Sequence, residues 1–349
     1  MKKELGILVI LLVVCAVTAV LNPQFLGAAN LQNNARLIGL YGIFSIGMGL
    51  VIITGGIDLS VGSIFALQGV LLAMMLREWH WPWPLAVAAI ILGTMGLGAF
   101  HGFFIAHVRM QAFIVTLCGL LFYRGAARCI ANEEAKGFGN EGFGMLRELA
   151  AGSLGPIPIP PADWIHNWLY GQVADRAPTV LSIPMPFVLL IVISVIMWVV
   201  LHRSVYGRYL FAVGRNEEAA RYSGINSQLI IASAYVVSGG LAGIAGILFA
   251  FYTNSISPAG HGNFYELFGI AGAVLGGCSL RGGEGSILGI LVGTALLQVI
   301  RNSVNMLGIA SAAEFCVLGG VIFVGVLVDQ LLAQRREAKR TREGPRLTE

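Results

Sequence analysis

Ten apolar runs, almost free of charge, constrain this chain's fold more than any other feature. They cover approximately residues 5–21, 37–54, 60–76, 84–107, 111–130, 184–201, 227–252, 264–280, 286–300 and 310–330. A helix crossing the hydrocarbon core of a bilayer takes about 20 mostly apolar residues, within a range of roughly 17–25. Lipid offers no partner to backbone N–H and C=O groups, so spans of this length are expected to be helices. The expectation is an all-α integral membrane protein with about ten transmembrane helices. Composition agrees: 11% of the residues are charged, against about 25% in a soluble domain. The second and third runs part only at Thr54–Ser60, which predicts a broken or re-entrant element there.

Basic residues set the expected orientation, because Lys and Arg accumulate in loops on the cytoplasmic side. With the N-terminus inside, ten spans place the C-terminus inside as well. The inner segments then hold 14 of the 22 Lys and Arg residues, among them Arg109, Arg203, Arg208, Arg215, Arg221 and Arg281. Trp79, Trp81 and Trp83 cluster at a turn expected outside, at headgroup level. Residues 1–330 read as one transmembrane domain. It carries a long, Gly- and Pro-rich outer loop at 131–183 and an inner loop at 202–226. A charged tail follows at 331–349. The first run follows Lys2 and Lys3 and imitates a secretory signal, with Ala16–Thr18–Ala19 a loose cleavage site. Its length and the spans after it favour a retained first helix.

Several chemistries find no support. A net charge of +4 is too mild to argue for nucleic acid. The five cysteines are scattered without a Cys-x-x-Cys pair, and His101 and His107 are six apart, off a shared helix face. No metal or catalytic centre is expected. A P-loop needs a lysine between Gly and Ser or Thr. None of the four lysines, Lys2, Lys3, Lys136 and Lys339, stands so.

Three places carry a pattern beyond packing. Asp58 lies between apolar runs, where a carboxylate costs about 2.5–3.5 kcal/mol if placed at the bilayer centre. Asp58 or Ser60 is positioned to cap the third helix, and a lining or gating role is compatible with the cap. Glu266, Glu284 and Glu314 sit near span ends and read as solvated. In the inner loop, Asn216 is a good helix N-cap, and Glu217 and Glu218 fall in the first turn. Glu217 and Arg221 are spaced as an i,i+4 pair, and Gly224 suits the stop. A short two-turn helix is predicted there, exposing charged and small residues to the cytoplasm. Gly239-x-x-x-Gly243, with Gly276, Gly285 and Gly289, predicts close helix packing.

Three motifs in order resemble the sugar permeases of bacterial ATP-binding-cassette importers, which include ribose, xylose, arabinose, galactofuranose and autoinducer permeases. They are Thr54-Gly-Gly-Ile-Asp-Leu-Ser-Val-Gly-Ser63, the segment Gly207–Ile225, and Gly276-Gly-x-Ser-Leu-x-Gly-Gly-x-Gly-Ser286. The resemblance runs over most of 20–330. It implies a vitamin-B12-importer-type permease fold in the bacterial inner membrane, with no cofactor on this chain. ATP would act on two cytoplasmic ATPase subunits or one tandem ATPase. The other implied partners are a second permease copy, in a homo- or heterodimer, and an extracytoplasmic sugar-binding protein. It further implies coupling to the ATPase through Gly214, Arg215, Asn216, Glu217, Glu218, Ala219, Ala220, Arg221, Ser223 and Gly224. Gly55, Gly56, Asp58, Leu59, Ser60 and Ser63 would line or gate the path. The outer loop departs from the family: Ala131–Lys136 replaces an expected basic, Gly-containing turn, and a Trp164–Pro178 stretch is added. Two alternatives remain open. One is an ion-coupled carrier using Asp58; the other is an ATP-driven importer of another small solute, such as branched-chain amino acids.

Overall fold

The computed structural model describes residues 2–140, 142–159, 179–310 and 313–321, with Phe323 and Leu327. The chain is mostly helical. In order come α1 (Lys2–Leu21), α2 (Ala28–Ile53), α3 (Val61–Arg77), α4 (Trp83–Ala106), α5 (Ala112–Ile130), α6 (Gly144–Ala151) and α7 (Met185–His202). Then follow α8 (Val205–Arg215), α9 (Glu217–Tyr222), α10 (Ser227–Thr253), α11 (Tyr265–Leu275) and α12 (Ile287–Met306). Among the described residues, four short strands pair antiparallel in two ribbons: β1 (Lys136–Gly137) with β4 (Ser255–Ile256), and β2 (Ser153–Ile159) with β3 (Thr179–Pro184).

Among the described residues, seven helices are long and apolar enough to cross a membrane: α1, α2, α4, α5, α7, α10 and α12. The other three of the ten expected runs are also helical, over shorter described lengths. The run at 60–76 becomes α3, of 17 residues. The run at 264–280 yields an 11-residue helix, α11, because Gly276 caps it and Gly277 turns the chain at φ +93°. The last run is helical over 313–321. Conversely, α2 begins at Ala28, nine residues before its apolar run. Its polar first turns are satisfied by α12: Asn302 Nδ2 donates to Asn30 Oδ1 (2.8 Å) and Gln298 Nε2 to Asn34 Oδ1 (3.2 Å). The Trp164–Pro178 stretch and the 331–349 tail lie outside the described residues.

Burial sorts the helices into a centre and a rim. The best apolar window of α2 is 83% buried and that of α10 78% buried, whereas those of α4, α5 and α7 are only 22–28% buried and that of α1 is 6% buried. The rim shows large apolar side chains outward, Leu92, Leu121, Phe122 and Val195 among them. A surface of that kind belongs in lipid or against another apolar surface. Lipid tails are as apolar as leucine, so the core must be held by close packing rather than by exclusion of water. The glycines provide it. A Cβ at Gly239 would overlap the Thr94 carbonyl, and one at Gly98 the Tyr235 carbonyl, so α4 and α10 touch backbone to backbone. The predicted Gly239–Gly243 pair lies in this seam. Helix α1 docks on α12, where Thr18 Oγ1 donates to Ser303 Oγ (2.8 Å) and Asn22 Nδ2 to the Met306 carbonyl (2.8 Å).

Candidate functional site

The turn between α2 and α3 is exposed at Gly55 and buried at Asp58 and Ser60. Helix α2 stops at Thr54, and Gly55 takes φ +83°. Asp58 is 3% exposed. Its Oδ1 accepts from the Ser60 N–H (2.9 Å) and the Ser60 hydroxyl (2.6 Å). Asp58 thus holds the entry to α3 in a tight side-chain turn. Ser60 is the N-cap residue but makes no side-chain cap of its own, and Asp58, two residues earlier, accepts from the Ser60 N–H rather than from an N–H of the helix itself, so the expected cap is replaced by this turn. The Ser63 hydroxyl donates to the Ser60 carbonyl (2.7 Å). The Ile57 carbonyl accepts from the hydroxyls of Tyr235 on α10 and Thr116 on α5, each at 3.3 Å. Beside them Tyr123 of α5 and His101 of α4 share a hydrogen bond (2.9 Å). No spacing pattern marks this pair in the sequence, because its members are 22 residues apart on different helices.

The second cluster hangs from one end of the bundle. Ser204 caps α8 by accepting from the Gly207 N–H (3.2 Å). Asn216 caps α9 by accepting from the Ala219 N–H (2.9 Å), as expected, and Gly224 leaves the helix at φ +85°. Ala220 is buried and anchors α9; Arg215, Asn216, Glu217, Glu218, Ala219, Arg221, Ser223 and Gly224 are exposed. The expected Glu217–Arg221 pair does not form. Glu217 Oε1 instead accepts from the Ser227 hydroxyl (3.1 Å), and the Arg221 guanidinium lies 5.9 Å from the Tyr222 ring centroid. Tyr222, 83% exposed, extends the cluster beyond the residues singled out from the sequence.

The two clusters meet. A cleft of about 340 Å³ is lined by Thr54, Gly55 and Gly56 together with Glu217, Glu218, Arg221 and Arg109. Asp58, Leu59, Ser60 and Ser63 do not line it; Asp58, Ser60 and Ser63 are buried behind it. The late glycine motif joins the same place, where the Gly283 N–H donates to the Ile53 carbonyl (2.8 Å).

Two acidic residues read as solvated are buried. Glu314 pairs with Arg301 (2.7 Å), whose Nη1 also donates to the Tyr41 hydroxyl (2.9 Å). Glu266 is packed against Gly62 of α3. Near it Arg124 ties the 258–262 loop to α3 through the carbonyls of Pro258 (3.3 Å), His261 (2.6 Å) and Gly62 (3.2 Å). Among the described residues, no group of three His, Cys, Asp or Glu residues is placed to hold a metal ion.

Membrane-length helices with a lipid-like rim, and a turn between two of them that shares a cleft with a short charged helix at one end of the bundle, are the architecture of a multi-pass membrane transport protein. The chain belongs to the family described as branched-chain amino acid transport system / permease component, whose model matches residues 30–327. It is therefore a transport subunit, one component of a larger system, rather than an enzyme. It is 37% identical to the ribose import permease protein of Escherichia coli K12 over 322 residues, 92% of each chain. It is 34% identical to the ribose import permease protein of Bacillus subtilis, over 94% of this chain and 93% of that one. The xylose transport system permease protein of Escherichia coli K12 is 29% identical, over 89% of this chain and 87% of its own. No solved structure matches.

Proposed function

We propose that this chain forms the membrane path for a monosaccharide, ribose or a close pentose, in an ATP-binding-cassette importer of the bacterial inner membrane. The observation that carries the reading is the exposed, capped helix α9, presented at one end of the bundle across a shared cleft from the turn that carries Asp58. A helix built this way is a docking knob: its charged residues are exposed and its buried Ala220 fixes it to the transmembrane body. The partners are a second permease copy, two ATPase subunits or one tandem ATPase, and an extracytoplasmic sugar-binding protein. ATP acts on the ATPase, and this chain holds no cofactor. The topology is N-in and C-in, with ten elements in the vitamin-B12-importer-type arrangement, α3 and α11 being the two short ones. The coupling residues are Gly214–Ala220, Arg221, Ser223 and Gly224. Gly55, Gly56 and Asp58 control the path, while Leu59, Ser60 and Ser63 shape the turn behind them. The 131–183 loop faces outward, toward the binding protein.

The family's own description favours a second reading, import of branched-chain amino acids. One reconstitution separates the possibilities. Proteoliposomes holding the permease, its ATPase and its binding protein should take up labelled ribose only with internal ATP, and an uncoupler should not matter. Uptake of leucine instead would install the second reading. Uptake without ATP, driven by an ion gradient, would replace both with a carrier that uses Asp58.

A further inference from the structure

Three glycine-bearing segments, far apart in sequence, are in backbone contact at the end of α2. A Cβ on Gly214 would overlap the Ile53 carbonyl oxygen and stand 2.6 Å from the Gly283 nitrogen. One on Gly282 would stand 2.6 Å from the Gly214 carbonyl oxygen and 2.9 Å from the Gly55 nitrogen; one on Gly283 would stand 2.9 Å from the Arg215 Cα. Gly55, Gly282 and Gly283 hold φ of +83°, +83° and +73°. The Gly283 N–H donates to the Ile53 carbonyl (2.8 Å), one of the last carbonyls of α2, which lack partners within the helix.

We propose that Gly214, Gly282 and Gly283 form a clasp through which α9 drives the turn at 54–60, and that these glycines are positioning residues for coupling. The inference rests on the reading of α9 as the point where the ATPase acts. Two observations choose this route. First, the direct route is a cleft: Glu217, Glu218 and Arg221 line the same 340 Å³ space as Gly55 and Gly56. Second, the route through α8 has no slack. Asn216 alone separates α8 from α9, and its side chain caps α9 (2.9 Å). Side-chain contacts absorb small displacements by changing rotamer. Backbone against backbone, with no Cβ between, has no rotamer to change. A shift of α9 therefore carries Arg215 and Gly214 against Ile53, Gly55 and Gly283 together. On the far side of the turn, the Ile57 carbonyl passes the shift to Tyr235 and Thr116.

The test uses the assembled importer in proteoliposomes and reads the ratio of ATP hydrolysed to solute imported. Gly214→Ala and Gly283→Ala should each raise this ratio about tenfold. Gly125→Ala, whose added methyl meets nothing within 4 Å, should leave it unchanged. A normal ratio in both clasp variants overturns the clasp and leaves the proposed function standing. If a variant fails to assemble, hydrogen exchange on the unmodified complex decides. Amides of 54–56, 212–216 and 281–285 should change protection together between the nucleotide-free and vanadate-trapped states; independent responses overturn the clasp. No ATP-dependent uptake by the unmodified complex overturns the proposed function and the clasp with it.

Discussion

His261 illustrates at the scale of one residue how burial becomes pH dependence. It lies between α10 and α11, 7% exposed, with Nε2 lacking a hydrogen-bond partner. Burial, aided by the nearby Arg124 guanidinium, holds its pKa down at about 4. The unfolded chain binds a proton near pH 6.5 that the folded chain refuses until about pH 4. The stabilisation from keeping the imidazole neutral is complete above pH 6.5 and declines as pH falls toward 4. Between these limits, the detergent-solubilised protein should lose about 1 kcal/mol per pH unit more than a His261→Gln variant. Melting curves at several pH values measure the difference, and parallel loss in the two proteins would refute it.

Helix α9 is the element whose prediction is sharpest. Its exposed charges stabilise the fold little, since surface ion pairs contribute about 0–1 kcal/mol. Reversing Glu218 and Arg221 together should leave the melting temperature within about 2 °C and reduce ATP-driven uptake at least tenfold. Normal uptake by the double variant would remove α9 from coupling. The same element marks how far the sequence was legible. Its caps were readable because Asn216 and Gly224 act on neighbours a few residues away. Its Glu217–Arg221 pair was misread because Ser227, ten residues on, takes the carboxylate. The pattern recurs. The burial of Glu314 depends on Arg301, the start of α2 on Gln298 and Asn302, and the His101–Tyr123 bond on two different helices. Apolar counting also overran α11, since Gly276 and Gly277 are apolar by composition and helix-ending by conformation. The three motifs were visible one by one; their convergence at Ile53 is a property of the folded bundle.

At the scale of the molecule, the proposed topology makes a directional prediction. In a background lacking the five native cysteines, three of which are exposed, Ser223→Cys should react with a membrane-impermeant maleimide only in inside-out vesicles. His80→Cys should react only in right-side-out ones. Labelling of both from one side would reject the N-in, C-in arrangement.

The docking of α1 carries a consequence for synthesis. Its Thr18 is anchored to Ser303, 285 residues downstream. At about 5–20 residues per second, the first span waits roughly 15–60 s in the bilayer before its partner emerges from the ribosome. During that interval its own length and apolarity must hold it in lipid. A chain arrested before α12 would display an unattached first helix, a mark by which membrane quality control can tell an unfinished copy from a finished one.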